Sequence, residues 1–132
     1  MSNEQVDVEV FARLFAEENL TPQRIYDQLD DDQFEWFVKY VFEQAGYAVE
    51  YTAHTRGPGL DLKIYIDSLG GHTFYAGVQV KHFQPEVTKV QVAHVRDLRG
   101  GLPETSDVTG YFVTTSTFND NALTEASRVR KI

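Results

Sequence analysis

Hydrophobic side chains recur every three or four residues in the first third of the chain, which is the spacing of amphipathic helices. Two start signals divide this region: a threonine followed by proline, and a run of three aspartates, both of which suit the first turn of a helix. A glycine closes the last segment, as is common just after a helix. The predicted helices run from Val6 to about Asn19, from Thr21 through Leu29, and from the Asp30–Asp32 run to Gly46.

After Gly46 the pattern changes to an alternation of apolar and polar residues, which is typical of strands. A pair of glycines, Gly70 and Gly71, predicts a hairpin turn. The predicted strands cover residues 47–51, 60–66, 73–83 and 109–116, the last of them buried, and the later helices cover 87–98 and 119–132. This order of elements predicts an α/β fold in which helices flank a mixed sheet.

Polar side chains interrupt the two strands that flank the predicted hairpin. Asp61 lies early in the first of them, whereas Gln79 and Lys81 lie late in the second, on one face because they are two residues apart. Folding the hairpin brings the start of one strand beside the end of the other. We therefore expect Asp61 to meet Gln79 and Lys81.

These residues offer oxygen atoms of the kind that a hard divalent cation prefers. Asp61 provides a charged oxygen, Gln79 a neutral amide oxygen, and the Val80 carbonyl can add a third. Lys81 would stabilise negative charge on an attacking water or a phosphoryl oxygen. Glu35 could reach the same place through water if its helix packs end-on to the strands. The pattern therefore predicts a Mg²⁺ site, at which Mn²⁺ could substitute.

The charge of the chain is concentrated at one end. Twelve basic and 20 acidic residues give the 132-residue chain a net charge of −8, and ten of the acidic residues lie within residues 1–35. Residues 36–132 carry as many basic as acidic side chains. This balance argues against a sequence-blind DNA-coating protein, and it predicts weak, salt-sensitive non-specific binding to DNA.

The composition also excludes several classes of site. The chain contains no cysteine, which removes disulfides, thiol catalysis and cysteine zinc sites. No apolar run approaches the length of a membrane span, and the first residues lack the features of a signal peptide. The histidines show no ligand spacing and are expected to be loop or surface groups. We therefore expect a cytoplasmic protein with no membrane partner.

Four segments, in order, carry a resemblance to a known family. They are FEWFVKYVFEQAGYAVEYT at 34–52, GPGLDLKIY at 57–65, VQVKHF at 78–83 and VTGYFVTTSTFNDNA at 108–122. Together they resemble the Mrr-like type IV restriction endonuclease domain of the PD-(D/E)XK nuclease superfamily. The resemblance covers roughly residues 30–127, so it implies a nuclease domain over 30–132 that follows an acidic helical extension over 1–29.

What the resemblance implies is Mg²⁺-dependent hydrolysis of DNA phosphodiester bonds on a restriction-endonuclease-like core of about four strands. It places Asp61, Gln79 and Lys81 in the active site, with Glu35 beside it. The sequence departs from the family in having Gln79 where the superfamily more often has glutamate, so the site carries fewer charged ligands. Cutting both strands of a duplex needs two sites, so we expect a homodimer or an assembly on DNA.

Other readings of the same residues remain open. Asp61 alone could be a structural residue of its loop, and the hydroxyls of Thr115 and Ser116 could cap the next helix or touch a phosphate. The fold could also serve as a catalytically inactive DNA-binding or protein-interaction module, or as a structure-selective nuclease resembling Holliday junction resolvases. Candidate DNA contacts, which must cluster to act against the total charge, are Arg56, Lys63, Lys89, Arg96, Arg99, Thr115 and Ser116.

Overall fold

The structure is a computed structural model that describes residues 4–52, 59–68, 70–104 and 107–128. The predicted order of elements is confirmed. The helices are α1 (Glu4–Phe15), α2 (Pro22–Gln28), α3 (Asp31–Gln44), α4 (Val92–Gly101) and α5 (Asp120–Ser127), and the strands are β1 (Ala48–Tyr51), β2 (Leu62–Ser68), β3 (Gly71–Lys81) and β4 (Thr109–Thr114). Within the described residues, no helix is both long and apolar enough to cross a lipid bilayer.

The four strands form one sheet in the order β1-β2-β3-β4. Strands β1, β2 and β3 pair antiparallel, and α4 then carries the chain across to β4, which pairs parallel to β3. The sheet is therefore mixed, and the predicted restriction-endonuclease-like α/β fold is confirmed. This topology brings the start of β2 beside the end of β3.

Local signals placed the boundaries of α3. The Asp30 side chain accepts from the backbone N–H of Gln33, whose own side chain accepts from the backbone N–H of Asp30, which is a capping box. Gly46, just beyond the helix, has a φ of +99°, a left-handed conformation that favours glycine. The predicted N-cap and terminal glycine are therefore both confirmed.

Two apolar clusters cover the two faces of the sheet. Val113 packs with the first cluster and Phe112 with the second, and neighbouring strand residues point to opposite faces. The first cluster joins α1 and α3 to β2 and β3, and the second joins α4 and α5 to β4. Phe11 and Leu14 of α1 are buried in the first cluster, so the N-terminal helix shares its core with the sheet. The division of the chain at residues 29 and 30 stays a prediction.

Several predicted boundaries are wrong. Helix α1 ends at Phe15 instead of Asn19, and beyond this end Glu17 pairs with Arg24 of α2 at 3.0 Å. A register shift between Ile64 and Tyr65 disturbs the predicted alternation in β2, and Ile66 beyond it is 39% exposed.

The predicted start of the fourth helix is also wrong. Helix α4 begins at Val92, and Val87 is 70% exposed. Val90 is fully buried, but it forms a parallel bridge with Phe118 instead of a helical turn. Strand β4 ends at Thr114, and Tyr111 within it is partly exposed, so this strand is less buried than predicted.

Candidate active site

Asp61 is held at the point where β2 begins, against the end of β3. Its backbone N–H donates to the Val78 carbonyl at 2.7 Å, and its own carbonyl accepts from the Thr52 N–H at 2.7 Å. Its side-chain Oδ2 accepts from the Val80 N–H, also at 2.7 Å. The carboxylate therefore lies against the backbone of the Gln79–Lys81 segment.

The surroundings of Asp61 act on its carboxyl group in opposite directions. Burial is the largest influence and raises the pKa of Asp61 above its ordinary value, because water is removed from the charged form. The Val80 N–H and the charge of Lys81 partly offset this increase. A cation bound to this carboxylate would favour the charged form of Asp61, as the Val80 N–H and Lys81 do.

Gln79 provides a second oxygen in the same segment. Its residue is 5% exposed, and its Oε1 has no hydrogen-bond partner among the residues that the structure describes. A buried amide oxygen without a partner is costly, and a cation would relieve that cost. The donor chemistry of Asp61, Gln79 and the Val80 carbonyl therefore fits a hard divalent ion. Across the described ranges there is no group of three or more His, Asp or Glu side chains placed to hold a metal. The candidate ligands are therefore one charged oxygen, from Asp61, and two neutral oxygens, from Gln79 and Val80.

Lys81 is the last residue of β3 and pairs in register with Thr114 of β4. Its charge lowers the pKa of Asp61 and also that of His94 on α4, whose pKa is lowered mainly by burial. The ammonium group of Lys81 thus lowers the pKa of both Asp61 and His94. This places a positive charge beside the candidate metal ligands.

Glu35 reaches the same region from α3. Its Oε1 accepts from the Tyr51 hydroxyl at 2.7 Å. Burial, this bond and the negative charges of Glu35, Asp32 and Asp61 all raise the pKa of Tyr51 well above its ordinary value. Glu35 and Asp61 therefore both lie near Tyr51, which the sequence did not single out because its pairing depends on how β1 packs against α3.

The predicted DNA contacts lie in different places. Lys63 has its ammonium 5.6 Å from the centre of the Phe74 ring, toward the hairpin end of the strands. Lys89 is exposed on the segment before α4. Arg56 lies outside the described residues. Of these cations, the structure brings none of the described ones into contact with Asp61.

The remaining candidates at the β4 end have structural surroundings. Thr115 is 1% exposed, and its hydroxyl donates to the Phe83 carbonyl at 2.6 Å. This bond explains why a hydroxyl is buried at this position without a phosphate contact. The Ser116 N–H donates to the Thr114 hydroxyl at 3.1 Å, and the Ser116 hydroxyl is buried with no partner in the described part of the chain.

Two arginines that were expected at a phosphate-binding rim pair with a carboxylate of the same chain. Arg99 and Arg96 on α4 both pair with the buried carboxylate of Glu125 on α5. These bonds lower the pKa of Glu125. The pairing joins the two helices. The Arg96 side chain stays 62% exposed and that of Arg99 34% exposed, so a DNA contact by either arginine stays a prediction.

His82 is not the surface group that the sequence predicted. Its Nδ1 lies 2.7 Å from Asp31 Oδ1, its Nε2 lies 3.1 Å from the Tyr26 carbonyl, and its ring stacks on that of Tyr26. Only 10% of its side chain is exposed. The residue after Lys81 thus connects the end of β3 to α2 and to the first turn of α3.

Comparison with known proteins agrees with this architecture. The MspJI restriction endonuclease, solved in complex with a 27-mer oligonucleotide, matches with a TM-score of 0.54 and 21% sequence identity over 97% of this chain. The match spans 28% of the MspJI chain, so it shows the shared fold alone. No curated protein matches the chain. Residues 26–132 match the Mrr_cat family, described as restriction endonuclease, and the chain therefore belongs to this restriction endonuclease family.

Proposed function

We propose that this domain hydrolyses DNA phosphodiester bonds as a Mg²⁺-dependent endonuclease of the Mrr type. The observation that carries the proposal is the 2.7 Å bond from the Val80 N–H to the Asp61 carboxylate. The preceding residue, Gln79, has a buried side-chain oxygen with no partner among the described residues. Family membership supports a nuclease role, and the oligonucleotide bound to MspJI supports DNA as the substrate class.

The roles of the residues follow from their chemistry. Asp61, Gln79 and the Val80 carbonyl would hold the ion, which when bound supplies positive charge to stabilise the phosphoryl oxygens. Lys81 stabilises the negative charge that develops as water attacks phosphorus. Glu35 orients that water from α3. The water oxygen forms a new P–O bond and gives up a proton to the solvent, while the P–O bond to the leaving sugar oxygen breaks and that oxygen takes up a proton from the solvent.

Cleavage of supercoiled plasmid with Mg²⁺ or Mn²⁺ tests the proposal. Lys81→Ala is expected to reduce the cleavage rate by about 100-fold or more, because it removes the main positive charge near the phosphate. Arg13→Ala is the matched control, since it removes one exposed positive charge from the last turn of α1. Cleavage by Lys81→Ala at the wild-type rate would contradict the assignment.

An inactive module of the same fold is the alternative outcome of this experiment. In that case the folded wild-type protein would cut no DNA with either ion, and Mg²⁺ would leave the NMR signals of Asp61 and Gln79 unchanged. Branched and linear substrates, each with and without methylated bases, would separate a structure-selective nuclease from a restriction-type one.

A further inference from the structure

The end of strand β1 bonds both to the Glu35 carboxylate and to the backbone of Asp61. The Tyr51 hydroxyl donates to Glu35 Oε1 at 2.7 Å. The next residue, Thr52, donates its N–H to the Asp61 carbonyl at 2.7 Å and its hydroxyl to the Leu60 carbonyl at 2.8 Å. Two consecutive residues thus hold a side chain on α3 and the backbone at the start of β2.

The position of Tyr51 is fixed by its neighbours. Its ring centre lies 4.1 Å from that of Trp36, and its backbone pairs in register with Leu62, which is fully buried. The half-buried ring therefore has little freedom to move. A hydroxyl on such a ring holds its acceptor in a defined place.

The hydroxyl is also kept in its neutral, donating form. Burial and the bond to Glu35 raise the pKa of Tyr51, and the nearby charges of Asp32 and Asp61 add to the increase. Tyr51 therefore stays protonated near neutral pH, where it donates a hydrogen bond to Glu35 and does not act as a base.

We propose that Tyr51 is a positioning residue of the nuclease site, which holds the Glu35 carboxylate at the end of β1, next to the residue that bonds to the Asp61 backbone, so that Glu35 can orient the attacking water. The inference rests on the proposed nuclease function. Loss of the Tyr51 hydroxyl would remove one hydrogen-bond donor from Glu35 and leave its carboxylate less firmly oriented. The bond fixes one carboxylate oxygen and hence the direction of the other. Tyr51 acts through Glu35 and transfers no proton.

Tyr51→Phe tests this role because it removes only the hydroxyl. We expect kcat for plasmid cleavage to fall about tenfold while KM for DNA changes less than about twofold, since orientation and not DNA binding is affected. The Glu35→Ala variant should lose more activity. The double variant should cleave at the same rate as Glu35→Ala alone, because Tyr51 has nothing left to position.

Tyr65→Phe is the matched control. The Tyr65 hydroxyl donates to Glu50 Oε1 at 3.1 Å, so it forms the same kind of tyrosine–glutamate pair, here between β2 and β1 and away from Asp61. Its kcat should equal that of the wild type. All rates are measured at a temperature at which circular dichroism shows every variant folded, so that a purely stabilising role of Tyr51 would leave kcat unchanged.

The possible results are distinct. An unchanged kcat in Tyr51→Phe would overturn the inference. So would a finding that Tyr51→Phe reduces kcat by the same factor in the wild type and in Glu35→Ala. In both of these cases the wild type still cleaves DNA, so the proposed function stands. If the folded wild type cleaves no DNA with either Mg²⁺ or Mn²⁺, the proposed function fails and the role of Tyr51 fails with it.

Discussion

Asp61 carries its charge where water is largely excluded, and only one backbone N–H bonds to it directly among the contacts described. Asp61→Asn keeps an oxygen that can accept from the Val80 N–H and removes the charge. The variant should not cleave DNA. In the absence of metal at pH 7 it should melt about 3 °C higher than the wild type, because the cost of a buried charge is gone.

The pH dependence of this gain follows from the raised pKa of Asp61. When the pKa of a carboxyl group is higher in the folded than in the unfolded state, the free energy of unfolding of the protein falls as the pH rises past the ordinary pKa, here 3.8. The difference in melting temperature between variant and wild type should therefore shrink from pH 7 to pH 4. Thermal unfolding at the two pH values measures it, and an equal gain at both would contradict the assigned cause.

At the scale of elements, Gly59 marks a close contact between the segment before β2 and helix α4. It has a φ of +86°, and a Cβ there would lie 1.9 Å from the Asp97 carbonyl oxygen. Gly59→Ala should lower the free energy of unfolding by about 3 kcal/mol or more, since it adds a clash to the backbone strain. Chemical denaturation measures the loss.

Gly71 provides the control for this prediction. It has a φ of +110°, but a Cβ there would meet no atom within 4 Å. Gly71→Ala should therefore cost only the strain of the left-handed backbone, about 1–2 kcal/mol. If the two variants were equally stable, the approach of α4 would not be the reason for glycine at position 59.

The contact between His82 and Asp31 is a second connection between elements, because it joins the end of β3 to α3. Asp31→Ala should lower the free energy of unfolding by about 1 kcal/mol more than Asp32→Ala does. Both aspartates lie in the first turn of α3, so their interactions with the helix dipole are similar. Equal losses in urea denaturation would show that the His82 contact adds no stability.

The accuracy of the sequence-based predictions depended on the distance over which each signal acts. Asp30 and Gly46 marked α3 correctly because a helix cap involves only neighbouring residues. The predicted start of α4 was wrong because Val90 pairs with Phe118, which is far away in the sequence. The approach of Asp61 to the end of β3 followed from the hairpin register, whereas the bond between Tyr51 and Glu35 needed the packing of a strand on a helix.

At the scale of the whole molecule, one chain offers one candidate site, whereas a duplex has two strands. We propose that cleavage of both strands requires two copies of the chain, as a homodimer or assembled on DNA. Plasmid should therefore appear first as the nicked form, and the rate of linear product should rise with about the square of protein concentration in the dilute range. A linear product whose rate is proportional to concentration would contradict assembly during the reaction.

The burial of Phe11 and Leu14 beneath the sheet has a practical consequence for protein engineers. The recognised family region starts at residue 26, but the interior that supports it extends back into the first helix. Trimming at the family border would remove two large apolar side chains and leave voids costing about 2–5 kcal/mol each. Anyone who fuses this unit to a second protein should therefore include the first helix.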